Sequence, residues 1–397
     1  MKNRCFGLLL ALLAIGCGPT LASRDKAPVP PEPVAPERLW AEKSFSPQPL
    51  DATPAAEVAR VYQACGAPDQ ALQRAAERLA IRAQGGGFFD VGSLHLELRA
   101  AGAPYLWPRQ WQTKLPNPDI AEHVQAWVER TRGEGQTRCG VARTHSHGAP
   151  AILAVVAAET SVDVEPFPTR ARVGQWLTFG ARLRGVVAPE LFIQGPRGRP
   201  RQALLTVRDD ELTARFSLSE PGAWTVQLIA AGRLGPLPAA EALVFADREP
   251  SNEGAWPLAP GEAANTGAGS SDSDRLLAML NGARQSEGLR ALARLPELDA
   301  IAQAHAASMR DAQTLAHNLG NGGAEARLRE ARVSVELQLI GENVATAASL
   351  GRVHRLLWHS PSHRFTLLRP DFDAIGVGVA YGADGRVWTS QLFGRTK

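Results

Sequence analysis

The sequence predicts a multidomain chain with an N-terminal α+β module, an all-β centre and a C-terminal body that is α+β or a layered α/β/α sandwich. Three observations carry this. The 397 residues exceed what one core usually serves, at about 150 residues per domain. Period-two apolar alternation dominates 160–247, whereas helical spacing recurs on either side. A stretch rich in Pro, Gly, Ser, Asn and Asp at 249–273 reads as a flexible linker before the C-terminal body. Apolar residues at 44% and charged residues at 21% exclude a disordered or fibrous chain. A formal charge of +3 over this length leaves no electrostatic footprint for nucleic acid.

Residues 1–17 read as an address. Lys2 and Arg4 precede an apolar run from Phe6 to Ile15, too short to span a bilayer and suited to a secretory signal. Ala14-Ile15-Gly16-Cys17 resembles the bacterial lipoprotein processing box. That resemblance implies cleavage before Cys17 and lipidation of it, which would hold the body at a membrane surface. An ordinary signal peptide with a chance Cys is the alternative. Gly18, where an Asp often retains lipoproteins in an inner membrane, tilts the expectation toward the outer membrane. Cys5 leaves with the signal, so Cys65 and Cys139 remain as an even pair in an oxidising compartment. One disulfide is expected, two free buried thiols being the alternative. No other stretch is apolar over 18 residues, so the rest is expected to be soluble and extracytoplasmic, in a bacterial cell envelope.

Residues 18–54 carry Pro28, Pro30, Pro31, Pro33, Pro36, Pro47, Pro49 and Pro54 and read as a stiff tether. In 55–158, Val58, Val61, Tyr62 and Cys65 share one helix face, and Leu72, Ala75, Ala76, Leu79 and Ala80 share another that ends at Gly85-Gly86-Gly87. Cys139 to Ala142 and Ile152 to Val156 read as a hairpin. His145 and His147 in its turn lack an acidic or Cys partner nearby, so a metal reading is weak there. In 160–247, Leu177, Phe179, Ala181 and Leu183 alternate, as do Leu212 to Leu218 and Trp224 to Leu228. The expectation is an immunoglobulin-like sandwich, with the Glu220 to Trp224 turn similar to bacterial members of that class and a spacer or binding role.

The segment 274–397 holds five of the nine His. Leu276, Leu277, Leu280 and Ala283 follow a cap cluster at Ser271–Asp274. Leu298, Ile301, Ala302, His305 and Met309 make a second helix face, and Leu350, Val353, Leu356 and Leu357 a third. Ile375 to Tyr381 and Val387 to Phe393 alternate around Asp384-Gly385, an antiparallel hairpin. His305, on an apolar stripe, reads as a core residue. His354 and His359 read as surface or cap residues. Ser360 before Pro361 reads as an N-cap, with His363 in the helix that follows.

These residues resemble a known family. Asn281-x-x-Arg284 with Gly288-Leu289, Ala302-x-x-His305-Ala306-x-x-Met309, His317, Gly341-Glu342-Asn343-Val344-Ala345, Ser360-Pro361-Ser362-His363-Arg364, Gly376-Val377-Gly378-Val379 and Gln391-Leu392-Phe393 follow the order of the CAP superfamily, also called SCP/Tpx-1/Ag5/PR-1, in its bacterial form. The resemblance implies an α-β-α sandwich with a central cleft. Secreted eukaryotic members line that cleft with two His and two Glu, which can hold a divalent metal. His317 and Glu342 match two of the four. Glu342 is the last Glu of the chain, and Trp388 stands where those members carry a His before Thr-Gln.

The bacterial pattern offers His363 instead. His317, Glu342 and His363 have the ligand types of an open zinc site, although their separations of 25 and 21 residues carry no local metal motif. A divalent metal such as zinc is one expectation and a metal-free cleft the other. Without one, a carboxylate beside an imidazole suits a proton shuttle or a polar anchor. Asn343, Ser360, Arg364 and Gln391 are expected to support the cleft. Residues 55–158 run through a similar order of elements, which resembles a degenerate second copy lacking the cleft residues. The leading expectation is an envelope-anchored protein that binds extracellular peptide, polysaccharide or lipid through this cleft. The alternatives are a metal-assisted hydrolase of peptide or cell-wall bonds, and a structural envelope protein with a vestigial cleft.

Overall fold

The computed structural model describes residues 39–130, 135–144, 150–250, 257–264, 270–320 and 322–397. The signal segment, Cys17, the first part of the Pro-rich stretch, His145 and His147 lie outside them. The first module comprises β1 (Lys43–Ser44), α1 (Ala56–Cys65), β2 (Ala67–Pro68), α2 (Gln70–Gln84), α3 (Val91–Ala100), β3 (Arg109–Lys114), α4 (Ile120–Arg130), β4 (Gln136–Arg143) and β5 (Ile152–Thr160). Its sheet runs β2-β4-β5-β3. α2 starts where the Asp69 carboxylate caps Ala71 and Leu72 N–H, satisfying donors that a helix start leaves free. Alternation in β4 and β5 sends Ala142, Ala154 and Val156 to α2 and α3, and Val141, Leu153 and Val155 to α1 and α4. Cys65 in α1 and Cys139 in β4 form the expected disulfide.

The centre comprises β6 (Val162–Val164), β7 (Phe167–Pro168), β8 (Arg170–Ala171), β9 (Trp176–Leu183), β10 (Val187–Gln194), β11 (Arg201–Ala203), β12 (Leu205–Arg208), β13 (Glu211–Ser217), β14 (Gly222–Gly232) and β15 (Gly235–Ala246). Two sheets, β11-β10-β14-β15-β8 and β12-β13-β9-β6, share one core that includes Phe179, Phe216, Leu191, Val226 and Val244. The residues that alternate in the sequence are those that meet inside.

The last module comprises α5 (Asp272–Ser286), β16 (Ala293–Arg294), α6 (Pro296–Asp311), α7 (Ala324–Glu330), β17 (Leu337–Ala347), α8 (Leu350–His359), α9 (Pro361–Leu367), β18 (Ala374–Tyr381) and β19 (Val387–Thr396). Its sheet runs β16-β18-β19-β17. Ser271 and Asp274 close a capping box on α5. Ile375, Val377, Val387 and Phe393 face α5 and α8, while Ala374 and Leu392 face α6, so helices cover both faces. Gly376 and Gly378 let α6 lie directly on β18: a Cβ on Gly376 would sit 2.1 Å from the Leu298 carbonyl carbon. Gly140 of β4 meets Leu72 of α2 in the same way, at 1.9 Å.

The described residues form one compact unit, and polar contacts join its modules. Arg99 of α3 pairs with Glu241 of β15 at 3.3 Å, both side chains being largely buried. Gln227 of β14 reaches Ser360 before α9 at 3.3 Å, Phe192 of β10 packs on Phe365 of α9 at 5.1 Å, and Asn318 N–H donates to Leu234 O at the β14–β15 turn. The described end of the Pro-rich stretch is held on the body, where Trp40 packs on Phe245 at 5.0 Å. Residues 257–264 are likewise held, with Glu262 paired to Arg355 of α8. His354, read from sequence as a surface or cap residue, is fully buried. Its Nε2–H donates to Pro260 O at 2.8 Å, because 257–264 folds back over α8. His359 is partly buried and bonds Pro257 O at 2.9 Å.

Candidate functional site

β17 is an edge strand of the last sheet, and the site lies along it. Glu342 in β17 faces the α6 side together with Ser390 of β19. Its side chain is 5% exposed, so its charge needs partners. It has three: His317 Nδ1–H donates to Oε2 at 2.9 Å, Arg327 Nη2 donates to Oε1 at 2.5 Å, and Ser390 Oγ–H donates to Oε1 at 3.0 Å. Arg327 Nη1 also donates to His317 O at 2.9 Å, which fixes the loop after α6. Burial opposes ionisation of Glu342. The His317 hydrogen bond and charge, then Arg327 and His305, outweigh it and hold the carboxyl below its ordinary value. His305 lies beneath, buried as expected, with Nε2–H donating to Ala316 O at 2.9 Å.

His363 approaches from α9 on the other side of the β17 edge. Ser360 occupies the N-cap position, but its hydroxyl does not cap the helix; it lies 2.7 Å from His363 Nδ1. Gln227 fixes its direction. The Gln227 amide donates to Glu241 Oε2 at 3.1 Å and accepts from Ser362 N–H at 3.1 Å, so its second N–H points to Ser360 Oγ at 3.3 Å. Ser360 Oγ and His363 Nδ1 thus share one hydrogen bond, and Gln227 holds the hydroxyl from its other side. Burial, with the charge of His317 adding to it, pushes the His363 imidazole down to about 3, so it is neutral.

His317, Glu342, Asn343 and His363 line one cavity of about 560 Å³. The sequence-expected cleft residues thus meet, with Asn343 donating to His363 O at 3.2 Å. Two expected supporting residues do not join them. Gln391 is wholly buried and points away from Ser390 and Glu342, because neighbours in a strand take opposite faces. Arg364 lies over Trp358 at 3.9 Å and pairs with Glu287. Arg327 went unread in the sequence, since an Arg in a charged seven-residue helix carries no motif. The wall supplied by Trp107, Phe192, Ile229 and Pro236 to Pro238 was unread too, since it comes from other modules.

Both Glu342 oxygens are committed to His317, Arg327 and Ser390, so the carboxylate is not free to ligate a metal. His317 and His363 are each held at Nδ1 and keep Nε2 open. Among the described residues no group of three His, Cys, Asp or Glu side chains is placed to hold a metal.

The model of the CAP family, described as the cysteine-rich secretory protein family, matches residues 277–393. Residues 277–393 are a CAP domain. Solved structures similar to the chain include an outer surface protein of Borrelia burgdorferi, 25% identical over 32% of this chain and 93% of its own, with a TM-score of 0.30. An extracellular SCP-domain protein of Bacillus anthracis is 19% identical over 59% of this chain and 86% of its own, with a TM-score of 0.29. A cysteine-rich secretory protein of Staphylococcus aureus is 12% identical over 59% and 85%, with a TM-score of 0.24. No curated protein matches the chain. Among the described residues, no helix is long and apolar enough to cross a membrane.

The CAP domain's histidines set a pH dependence. His305, His354 and His363 are all held below the ordinary imidazole value of 6.5, burial being the largest cause in each. Folded they stay neutral; unfolded they take a proton near pH 6.5. Their contribution is complete above that value and is lost as pH falls from 6.5 toward the folded values, at up to about 1.4 kcal/mol per pH unit for each. Glu342, held low, loses its contribution as pH falls through its own folded value, in the same direction. The urea midpoint is expected to drop between pH 7 and pH 5; a flat or rising midpoint would contradict these assignments.

Proposed function

We propose that this is an extracytoplasmic, envelope-anchored binding protein whose CAP cleft takes a peptide, polysaccharide or lipid. The supporting observation is the buried His317–Glu342–Arg327 constellation opening on a cavity. Both oxygens of the carboxylate are already occupied, so it serves to orient His317 and not to act as a free base or a metal ligand. His317 Nδ1 is tied to Glu342, which leaves Nε2 for a ligand. The Ala14-Ile15-Gly16-Cys17 segment supports a lipid at Cys17, and its Gly18 an outer-membrane address. The central sandwich is proposed as immunoglobulin-like.

Residues 55–158 are proposed as a second CAP-like copy without the cleft. β2-β4-β5-β3 repeats β16-β18-β19-β17 in order and direction, and Gly140 on Leu72 repeats Gly376 on Leu298. Gln110 takes the register of Glu342. It clasps the Phe89 backbone in place of an imidazole.

The test is capture from envelope peptide, polysaccharide and lipid fractions by the immobilised chain, read by mass spectrometry. The wild type should enrich one class, and His317→Ala should lose it while still folded at the capture temperature, checked by circular dichroism. Equal enrichment by both would contradict the cleft's role. For the anchor, a Cys17→Ser chain is expected to leave the membrane fraction on cell fractionation; retention there would contradict lipidation.

A further inference from the structure

We infer that the central sandwich and the first module are part of the ligand site, and that the composite pocket takes an extended peptide with an apolar side chain against the sandwich wall. This rests on the cleft-binding reading above and names its ligand class. The floor comes from the CAP domain: His317, Glu342 and His363. The opposing wall comes from elsewhere: Phe192 of β10, Ile229 of β14, Leu237 of β15 and, from the first module, Trp107.

The wall is seated. Trp107 Nε1–H approaches Pro238 O at 3.4 Å, and a Cβ on Gly235 at the β14–β15 turn would lie 3.2 Å from His317 Cβ. A hydrogen-bonded chain also crosses all three modules: Arg99 to Glu241, Glu241 to Gln227, Gln227 to Ser360 and Ser360 to His363. The sandwich therefore orients the cleft imidazole through Ser360. With Nδ1 held by Ser360, the imidazole offers Nε2 to a polar backbone group of the ligand.

The pocket's size, about 560 Å³, is that of a small-ligand site, largely apolar with a few placed polar groups. The wall is apolar and proline-rich, with the Phe192 ring largely buried and one exposed indole, which suits an apolar side chain better than a row of pyranose rings. Glu190, Glu325 and Arg329 line the same cavity, and charged groups oppose an acyl chain. A peptide supplies both backbone polar groups for the floor and the side chain for the wall.

The experiment is calorimetric titration of the full chain with N-acetyl tetrapeptide amides Ala-Ala-X-Ala, X being Leu, Gly or Asp. The wild type should favour Leu over Asp by about tenfold or more. Trp107→Ala and Leu237→Ala both alter partly exposed side chains. Each should bring the Leu peptide down to the level of the Gly peptide, erasing the preference. His317→Ala should weaken all three peptides together. Wall variants that keep the Leu preference would overturn this inference alone. An unchanged His317→Ala would overturn the cleft reading itself. A wild type that binds none of the peptides would overturn the peptide assignment.

Discussion

Replacing Glu342 with alanine is expected to destabilise the CAP domain by about 3–5 kcal/mol, the range for breaking a buried ion pair from one side. The side chains involved are 5% and 8% exposed for Glu342 and Arg327, so solvent cannot stand in for the missing partner. The variant leaves the Arg327 guanidinium uncompensated and removes the acceptor of both His317 Nδ1–H and Ser390 O–H. Arg327→Met should cost about as much, by leaving the buried carboxylate without its cation and with only His317 and the Ser390 hydroxyl as hydrogen-bond donors. The double variant Glu342→Ala, Arg327→Met should be much less harmful than the sum, because neither charge is then stranded. Urea denaturation reads all three. A Glu342→Ala cost below about 1 kcal/mol, the range of surface pairs, would mean that the carboxylate is not held as described.

Removing the Cys65–Cys139 bridge should have an effect of similar size in the first module. The bond ties α1 to β4 across a separation of 74 residues, and both residues lie in the core with Val61, Val124 and Val155. Closing a loop of that length removes unfolded-state entropy worth about 4 kcal/mol on the chain-entropy account. The pair variant Cys65→Ala, Cys139→Ala is expected to lose most of that in urea denaturation, and dithiothreitol should lower the wild-type midpoint without touching the variant. Equal midpoints for the two chains under oxidising conditions would contradict the assignment.

Much of the fold was legible because it is local. The period-two runs in β9, β13, β14, β18 and β19 and the helix faces of α1, α2, α5, α6 and α8 are written in neighbouring residues. The cleft pair was legible only through motifs: His317 and Glu342 lie 25 residues apart, and nothing in either neighbourhood announces the other. Arg327 was not legible, since a buried Arg in α7 looks like any surface Arg until Glu342 is found above it. His354 was misread because its acceptor, Pro260 O, lies in a stretch whose composition reads as linker. The wall of the pocket escaped for a related reason. Trp107, Phe192 and Leu237 read as ordinary residues of two scaffolds, and only packing of the modules turns them toward His317.

The central claim is that three modules build a single pocket around His317 and His363. The most direct measurement follows the imidazole signals of both histidines and the indole signal of Trp107 by NMR while the full chain is titrated with the leucine tetrapeptide amide. One pocket requires all three signals to move along the same saturation curve. Separate curves, or histidine signals that stay still while the indole moves, would contradict it.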